Sequence, residues 1–266
     1  MYVWAVANQK GGVGKTTTAV TLGGLLAAAG RRTLLVDLDP QGSMTSYFRF
    51  NPDAVEGSLY SLFEAQAEGS VPPDTGQLLL DAGVQNLSLL PASTAMATLD
   101  RQLGARDGMG LVVARALARL QHRFDYVLMD CPPMLGVLMV NALAACQQLL
   151  VPVQTEFLAL KGLERMLRTI QMIGRARGGV PPYTIVPTFF DRRTRASTDA
   201  LRALRDQYGD HLWPRVIPVD TQFREASKSG LPLPVFNPQA RGNEAYGSLL
   251  RWLQAQDTPM AEAVSQ

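Results

Sequence analysis

A glycine-rich stretch near the N-terminus carries the residue types that bind phosphate. It runs Gly11-Gly12-Val13-Gly14-Lys15-Thr16-Thr17 and is preceded by Lys10. Glycines allow the backbone to turn its N–H groups around an anion, and the positive end of a following helix adds to the attraction. At this spacing Lys15 is expected to neutralise the β- and γ-phosphates of a nucleotide, and the Thr16 hydroxyl to ligate Mg²⁺. The pattern predicts a P-loop whose residues from Gly11 to Thr17 bind the nucleotide.

Three carboxylates are expected near this loop, because each stands at or near the end of an apolar segment. Asp37 and Asp39 end one such segment, and Asp130 ends another. Open α/β sheets place their ligands at the carboxyl ends of the strands. An acid that closes a buried strand is typical of a Walker B carboxylate, which holds the hydration shell of Mg²⁺. We therefore predict a metal site of Thr16, Asp37 and Asp130, with Asp39 orienting the attacking water.

The order of apolar and amphipathic segments predicts strands that alternate with helices. Strands are expected at residues 2–7, 33–40, 87–91, 124–130, 149–153 and 183–188, and helices at 16–29, 58–68, 110–120, 160–175 and 243–254. Such alternation predicts an α/β fold with a doubly wound, mostly parallel sheet flanked by helices. No linker or repeat interrupts the pattern. A single domain over residues 1–256 is therefore expected, followed by a flexible tail at 257–266.

Composition excludes several classes of protein. The chain has 266 residues, of which 47% are hydrophobic and 18% charged, so most of it is expected to fold around a core. The two cysteines, Cys131 and Cys146, cannot form a disulfide framework, which favours a reducing cytoplasm. No apolar run approaches the roughly 20 residues that a bilayer span requires. A cytoplasmic protein is therefore expected.

Charge is distributed unevenly along the chain. Residues 1–160 carry 10 basic and 13 acidic side chains, whereas residues 161–251 carry 15 basic and 8 acidic ones, a net charge of +7. A basic region of this kind is compatible with a nucleic-acid surface or with an acidic partner. It is equally compatible with arginine-rich helices that are only solvated.

Four spaced motifs together resemble the ParA/MinD family of deviant Walker A ATPases, and specifically its ParA branch. They are residues 10–17, 37–42, 125–136 and 153–163, and the resemblance extends from about Val3 to Leu253. It implies the P-loop NTPase fold, with ATP and Mg²⁺ as cofactors and ATP hydrolysis as the activity.

The resemblance also implies roles for two further residues. In this family the additional lysine, here Lys10, reaches across an ATP-sandwiched homodimer to the partner's phosphates and is part of the catalytic set. A second cation supplied in trans couples the nucleotide state to dimerisation. Pro218 is expected to lie near the adenine, as its counterpart does.

DNA binding in the family depends on arginines that this chain only partly retains. Residues 217–226 match a family segment in which two arginines are replaced, here by Val219 and Gln222, while Arg224 is new. A second basic segment of the family is matched by Arg192, Arg193 and Arg195. Weak, sequence-independent DNA binding through these four arginines is expected, with an acidic protein partner as the competing interpretation.

The function implied is that of a ParA-like ATPase that positions a cargo. The cargo is a plasmid or chromosome, with a ParB-like partner that stimulates hydrolysis, or a polar protein assembly such as a chemotaxis array, with an adaptor protein. Two alternatives remain: an ATP-dependent amidating or ligating enzyme with the same P-loop, and a nucleotide-switched binding module with negligible turnover. The region from residue 249 to 266 contains no basic amphipathic helix, so no membrane attachment is expected. The expected location is the cytoplasm, at the nucleoid or a pole.

Overall fold

A seven-stranded sheet forms the centre of the molecule in the computed structural model, which describes residues 1–99, 108–175 and 179–263. In chain order the strands are β1 (Tyr2–Val6), β2 (Thr33–Asp37), β3 (Leu80–Val84), β4 (Leu87–Leu90), β5 (Tyr126–Asp130), β6 (Gln148–Gln154) and β7 (Tyr183–Thr188). Their order across the sheet is β3-β4-β2-β5-β1-β6-β7. Every pair is parallel except β3 with β4.

Helices cover both faces of this sheet. Those described are α1 (Lys15–Ala28), α2 (Ser43–Tyr47), α3 (Leu59–Glu68), α4 (Val112–Ala118), α5 (Val137–Ala145), α6 (Phe157–Arg175), α7 (Arg195–Tyr208), α8 (Gln222–Ser229), α9 (Leu233–Phe236) and α10 (Arg241–Ala263). Short 3₁₀ turns lie at Thr75–Leu78, Thr94–Thr98, Met109–Leu111 and Gly209–His211. The expected doubly wound α/β fold is confirmed.

The apolar character of the strands follows from this arrangement. The central strands β2 and β5 are buried along their whole length, since each face of the sheet packs against helices. One core includes Phe63, Leu117 and Met166, and a second includes Trp4 and Leu249. The two cores lie on opposite faces, because successive side chains of a strand point to opposite sides.

Several elements differ from the sequence prediction. The strand β3 and the helices α2, α5, α7 and α8 were not expected, and residues 231–238, where no helix or strand was predicted, contain the short helix α9. β3 is a partly exposed, bulged edge strand and α2 has five residues, so neither has a long apolar pattern. The last helix is longer than expected, and the proposed boundary at residue 257 falls inside it. A single domain remains a prediction, and residues 264–266 of the proposed tail lie outside the described residues.

Register places the chemistry-bearing residues at one edge of the sheet. Asp37, the last residue of β2, lies opposite Asp130, the last residue of β5. Asp130 also lies opposite Val6, which ends β1 and leads into the glycine-rich loop. The loop and the two carboxylates therefore meet where three neighbouring parallel strands end.

Candidate functional site

The glycine-rich loop has the backbone conformation of an anion cradle. Gly12 and Gly14 have φ angles of 71° and 93°, in the left-handed region that favours glycine. Gly14 is the N-cap residue of α1 and has no side chain to cap the helix. The first N–H groups of α1 therefore face a ligand site rather than a capping side chain, which is the arrangement that binds phosphate at helix N-termini.

Neighbouring strands hold the carbonyl groups of this loop. The Thr188 hydroxyl at the end of β7 donates a hydrogen bond to the Val13 carbonyl oxygen at 2.9 Å. The Gln154 amide at the end of β6 donates to the Gly12 carbonyl oxygen at 3.1 Å. Because residues at the ends of β6 and β7 bind these carbonyl oxygens, we expect the N–H groups of the loop to line the anion-binding site.

Asp37 is buried and held by three donors. Its Oδ2 accepts hydrogen bonds from the Thr45 N–H at 2.8 Å and from the Thr45 hydroxyl at 2.7 Å, and its Oδ1 accepts from the Asp39 N–H at 3.2 Å. Burial raises the pKa of Asp37 to about 7 despite these bonds. Thr45 in α2 thus supports the carboxylate, a role that sequence reasoning missed.

Asp130 is buried at the end of β5 and only half satisfied. Its Oδ2 accepts a hydrogen bond from the Thr16 hydroxyl at 2.5 Å, while its buried Oδ1 has no hydrogen-bond partner among the described residues. Burial, and next the negative charge of Asp37, raise the pKa of Asp130 well above its usual value. The Thr16 hydrogen bond and the buried Lys15 ammonium act in the opposite direction. The site is therefore short of positive charge.

These residues fit a Mg²⁺ site of the kind that nucleotides complete. The described residues contain no group of three or more histidine, cysteine, aspartate or glutamate side chains spaced to hold a metal alone. Mg²⁺ bound with a nucleotide needs only one or two protein oxygens, since phosphates and water supply the rest. The unpartnered Asp130 Oδ1 and the adjacent Thr16 hydroxyl suit that role. Asp37, with both oxygens engaged, is placed to support the site electrostatically.

Asp39 differs from the other two carboxylates. It lies just beyond β2 and is nearly buried, and its Oδ1 accepts a hydrogen bond from the Gln41 N–H at 3.0 Å. In the described part of the chain no hydrogen bond engages its Oδ2. A carboxylate with one oxygen fixed and the other open has the arrangement that a water-orienting group requires.

Lys10 is held by its own chain. Its ammonium group forms an ion pair with Glu156 and donates a hydrogen bond to Gln154 Oε1 at 2.9 Å. Gln154 thus connects Lys10 to the loop, because its amide also binds the Gly12 carbonyl. The sequence motif at 153–163 contains both partners, but no pattern assigned them to Lys10, which lies 144 and 146 residues away.

A cleft of about 820 Å³ opens beside the loop. Its lining includes Gly12, Gly14, Thr17, Phe189, Pro218, Phe223, Arg224, Lys228 and Tyr246. Pro218 thus lies in the cleft that the loop borders, where a nucleotide base is expected. The Tyr246 hydroxyl shares a hydrogen bond with the Thr18 hydroxyl at 2.7 Å, which fixes α10 against α1 at the cleft.

The arginines expected to bind DNA occupy different positions. Arg192, Arg193 and Arg195 are exposed between β7 and the first turn of α7. Arg193 binds both oxygens of Asp191, at 2.9 and 2.8 Å, and Arg195 pairs with Asp199 at 3.4 Å. Arg192 has no ion pair within the described ranges. Arg224 instead lines the cleft beside the loop.

Fold and site together define a P-loop nucleotide-binding protein. A family model described as an AAA domain matches residues 1–178. The chain is 37% identical over 259 residues to the chromosome partitioning protein ParA of Caulobacter vibrioides, covering 94% of this chain and 92% of that protein. The chain belongs to the ParA family of P-loop ATPases.

Two solved structures share the fold. One is named cobyrinic acid a,c-diamide synthase and comes from Mycobacterium smegmatis, with a bound ATP analogue and magnesium. It is 36% identical in sequence, with a TM-score of 0.77, and the match covers 96% of this chain and 94% of that chain. The other, McdA from Cyanothece in complex with ATP, is 21% identical, has a TM-score of 0.83 and covers 96% of each chain. Both likenesses support the doubly wound assignment.

No helix within the described ranges is both long and apolar enough to cross a membrane.

Burial of Asp130 predicts a pH-dependent stability. Its folded-state pKa lies above the unfolded value, so its contribution is complete below the unfolded pKa and is lost as the pH rises through the folded pKa. Asp37 adds a similar loss between its ordinary value of 3.8 and about 7. In the nucleotide-free protein, Asp130→Asn should therefore reduce the fall in the free energy of unfolding as the pH rises above the ordinary carboxyl value of 3.8, as measured by urea unfolding.

The variant Asp210→Asn supplies the control for loss of one carboxyl group, because Asp210 is exposed and lies outside the site. The electrostatic account of Asp130 fails if Asp130→Asn retains the full wild-type pH dependence.

Proposed function

We propose that the protein forms an ATP-dependent sandwich dimer and hydrolyses ATP with Mg²⁺ to segregate or position a cargo. The observation that carries this proposal is the junction of a complete P-loop, preceded by Lys10, with the strand-end carboxylates Asp37, Asp39 and Asp130. A nucleotide-binding module alone would not need Asp39, whose free oxygen lies beside this junction.

The geometry supports the following roles. The backbone N–H groups of residues 11–17 bind the phosphates, and Lys15 neutralises the β- and γ-phosphates. Mg²⁺, when bound, stabilises the negative charge that develops on the phosphates. Thr16 and Asp130 would hold that ion with support from Asp37, and Asp39 would orient the attacking water. Pro218 lies against the base, since it lines the cleft that the loop borders.

Lys10 links the nucleotide to dimerisation. In the single chain its charge is balanced by Glu156. Phosphates of a nucleotide bound to a second protomer provide a stronger anionic partner, because they carry more charge than one carboxylate. Exchange of Glu156 for those phosphates would make Lys10 a trans cation and part of the catalytic set.

The relatives favour a nucleic-acid cargo. The Caulobacter relative is named a chromosome partitioning protein. A chromosome or plasmid cargo with a ParB-like partner is therefore the first candidate, and a polar assembly such as a chemotaxis array with its adaptor is the second. A cytoplasmic location at the nucleoid fits the first, and a polar location fits the second. A fluorescent fusion would distinguish them.

An amidating enzyme of the same P-loop class remains the rival, because the Mycobacterium smegmatis structure carries the name of a diamide synthase. Such an enzyme turns over ATP only with its acceptor and amide donor present. ATP hydrolysis without any acceptor therefore separates the two functions. A binding module with negligible turnover would show no hydrolysis under either condition.

Asp39→Ala should trap the dimer. Loss of the water-orienting group should reduce turnover by roughly 10² or more and leave ATP affinity nearly unchanged, because the contact acts mainly in the transition state. Light scattering should show doubled mass with ATP and Mg²⁺ and monomer mass with ADP. Adding Lys10→Ala should weaken this dimer, whereas Lys15→Ala should abolish nucleotide binding.

Lys161→Ala, at an exposed lysine of α6, is the matched control and should keep the dimer. A monomer of Asp39→Ala at saturating ATP would exclude the sandwich dimer.

Glu156→Gln should favour dimerisation. The glutamine keeps the size of the side chain but removes the charge that holds Lys10. Both partners are partly exposed, at 35% and 47%, so the ion pair contributes at most about 1 kcal/mol. A homodimer contains two such pairs, so in the Asp39→Ala background its dissociation constant should fall by up to roughly 25-fold, as measured by analytical ultracentrifugation.

Glu164→Gln breaks the Glu164–Arg168 pair within α6 and should not change this constant. A weaker dimer with Glu156→Gln would instead place Glu156 among the residues that support the dimer.

We expect weak DNA binding without sequence preference through the three exposed arginines between β7 and the first turn of α7, which are Arg192, Arg193 and Arg195. Arg193 and Arg195 are already paired with aspartates, so Arg192→Ala should cause the largest loss. We expect ATP-dependent binding of the Asp39→Ala dimer to random duplex, with Arg192→Ala reducing the slope of log affinity against log salt by about one unit per protomer. Fluorescence anisotropy at several salt concentrations measures this slope.

Arg119→Ala, at an exposed arginine after α4, should leave it unchanged. Arg224→Ala tests the cleft arginine separately. Absence of ATP-dependent binding at low salt would exclude the DNA surface.

A further inference from the structure

A second concave surface, which we call the arginine groove, lies between α7 and α10. Its volume is about 750 Å³, and Pro218 separates it from the nucleotide cleft by lining both. The groove contains none of the P-loop residues or strand-end carboxylates. It is therefore not required by the proposed function.

Four exposed arginines line this groove, and they are poorly compensated. Arg202 and Arg205 come from α7, Arg215 from the segment before Ile217, and Arg241 from the first turn of α10. Glu244 is the single carboxylate in the lining. Arg202 pairs with Asp199 at 3.4 Å, whereas the other three arginines form no ion pair with any described residue.

Crowding of like charges makes the groove attractive to an anion. Unpaired guanidinium groups repel one another, and each retains planar donors that match carboxylate or phosphate oxygens in a bidentate manner. The N-terminus of α10 lies at the same groove, but Asp220 already accepts a hydrogen bond from its Gly242 N–H and Glu244 stands in its first turn, so the arginines carry the attraction. An anionic occupant is therefore expected.

The floor of the groove is apolar. Phe190, Val216 and Ala245 are partly exposed there, over the buried Leu201 and Trp213. The sugars of a phosphodiester backbone present only small apolar surfaces between charged phosphates, so a duplex would cover such a floor less completely than apolar side chains would. A peptide that alternates acidic and apolar side chains would pair with the rim and bury the floor at the same time.

We propose that the arginine groove binds an acidic amphipathic peptide segment of a partner protein. Carboxylates of the segment pair with Arg205, Arg215 and Arg241, and its apolar side chains cover Phe190 and Val216. The alternative occupant of a basic surface, DNA, is an outcome of the test below.

The test uses three fluorescent probes on the full chain. The first is a 16-residue peptide of glutamate and leucine in which leucine recurs at helical spacing. The second has the same glutamates but serine in place of leucine. The third is a 24-base-pair random duplex. We expect the glutamate–leucine peptide to bind at least tenfold more tightly than the glutamate–serine peptide, as measured by anisotropy.

Charge reversal locates the binding. The double variant Arg205→Glu, Arg241→Glu should weaken the glutamate–leucine peptide by tenfold or more, whereas the matched variant Arg119→Glu, at an exposed arginine outside the groove, should not. Retained ATP binding would show that the double variant is folded. The peptide measurement requires neither dimerisation nor ATP hydrolysis, so failure of the proposed function would not change its outcome.

Three results overturn the proposal. They are equal affinity for the two peptides, equal loss with Arg119→Glu, and duplex binding that depends on Arg205 and Arg241 while the peptide does not bind.

Discussion

The parallel alignment of β1, β2 and β5 is the constraint on which the site depends. It brings Asp37 opposite Asp130 and both of them beside the loop that follows Val6. Burial disfavours the ionised form of both carboxyl groups, the charge of Asp37 disfavours that of Asp130 further, and the available compensation comes from Thr45, Thr16 and Lys15. A site with excess buried acid and an open anion cradle favours a ligand that brings both a cation and phosphates. Register alone therefore specifies much of the ligand chemistry.

Sequence reasoning predicted the parts of the site that depend on local pattern. The P-loop is contiguous, and the acids close apolar strands, so residues 10–17, Asp37 and Asp130 could be predicted as site residues from the sequence. Thr45 was missed because its bond to Asp37 depends on how the short helix α2 turns back over β2. Glu156 was quoted in a motif but given no partner, since an ion pair across 146 residues leaves no periodicity to detect. The edge strand β3 was missed for a similar reason, because a bulged, half-exposed strand lacks a clear alternation.

The net charge showed that basic side chains are in excess in the C-terminal third, but it did not show on which surfaces these side chains lie. The structure divides them among environments with different chemistry. Arg193 pairs with Asp191. The hydrogen bonds that Arg193 donates to this carboxylate lower the pKa of Asp191 to about 2. Arg224 lines the nucleotide cleft, and four other arginines line the arginine groove. A single basic face is therefore too simple a description, because cations with and without aspartate partners differ in the anions that they can attract.

One short segment connects the nucleotide cleft with the arginine groove. Residues 217–219 are held to the end of β7, where the Phe190 N–H donates to the Ile217 carbonyl at 3.1 Å and the Val219 N–H donates to the Phe190 carbonyl at 3.2 Å. Asp220 then accepts hydrogen bonds from the Gln222 N–H in α8 and the Gly242 N–H in α10, both at 2.9 Å. One carboxylate thus fixes a wall of the cleft and a wall of the groove. If an occupant of either site displaces this segment, linkage requires the other site to respond with an equal coupling free energy.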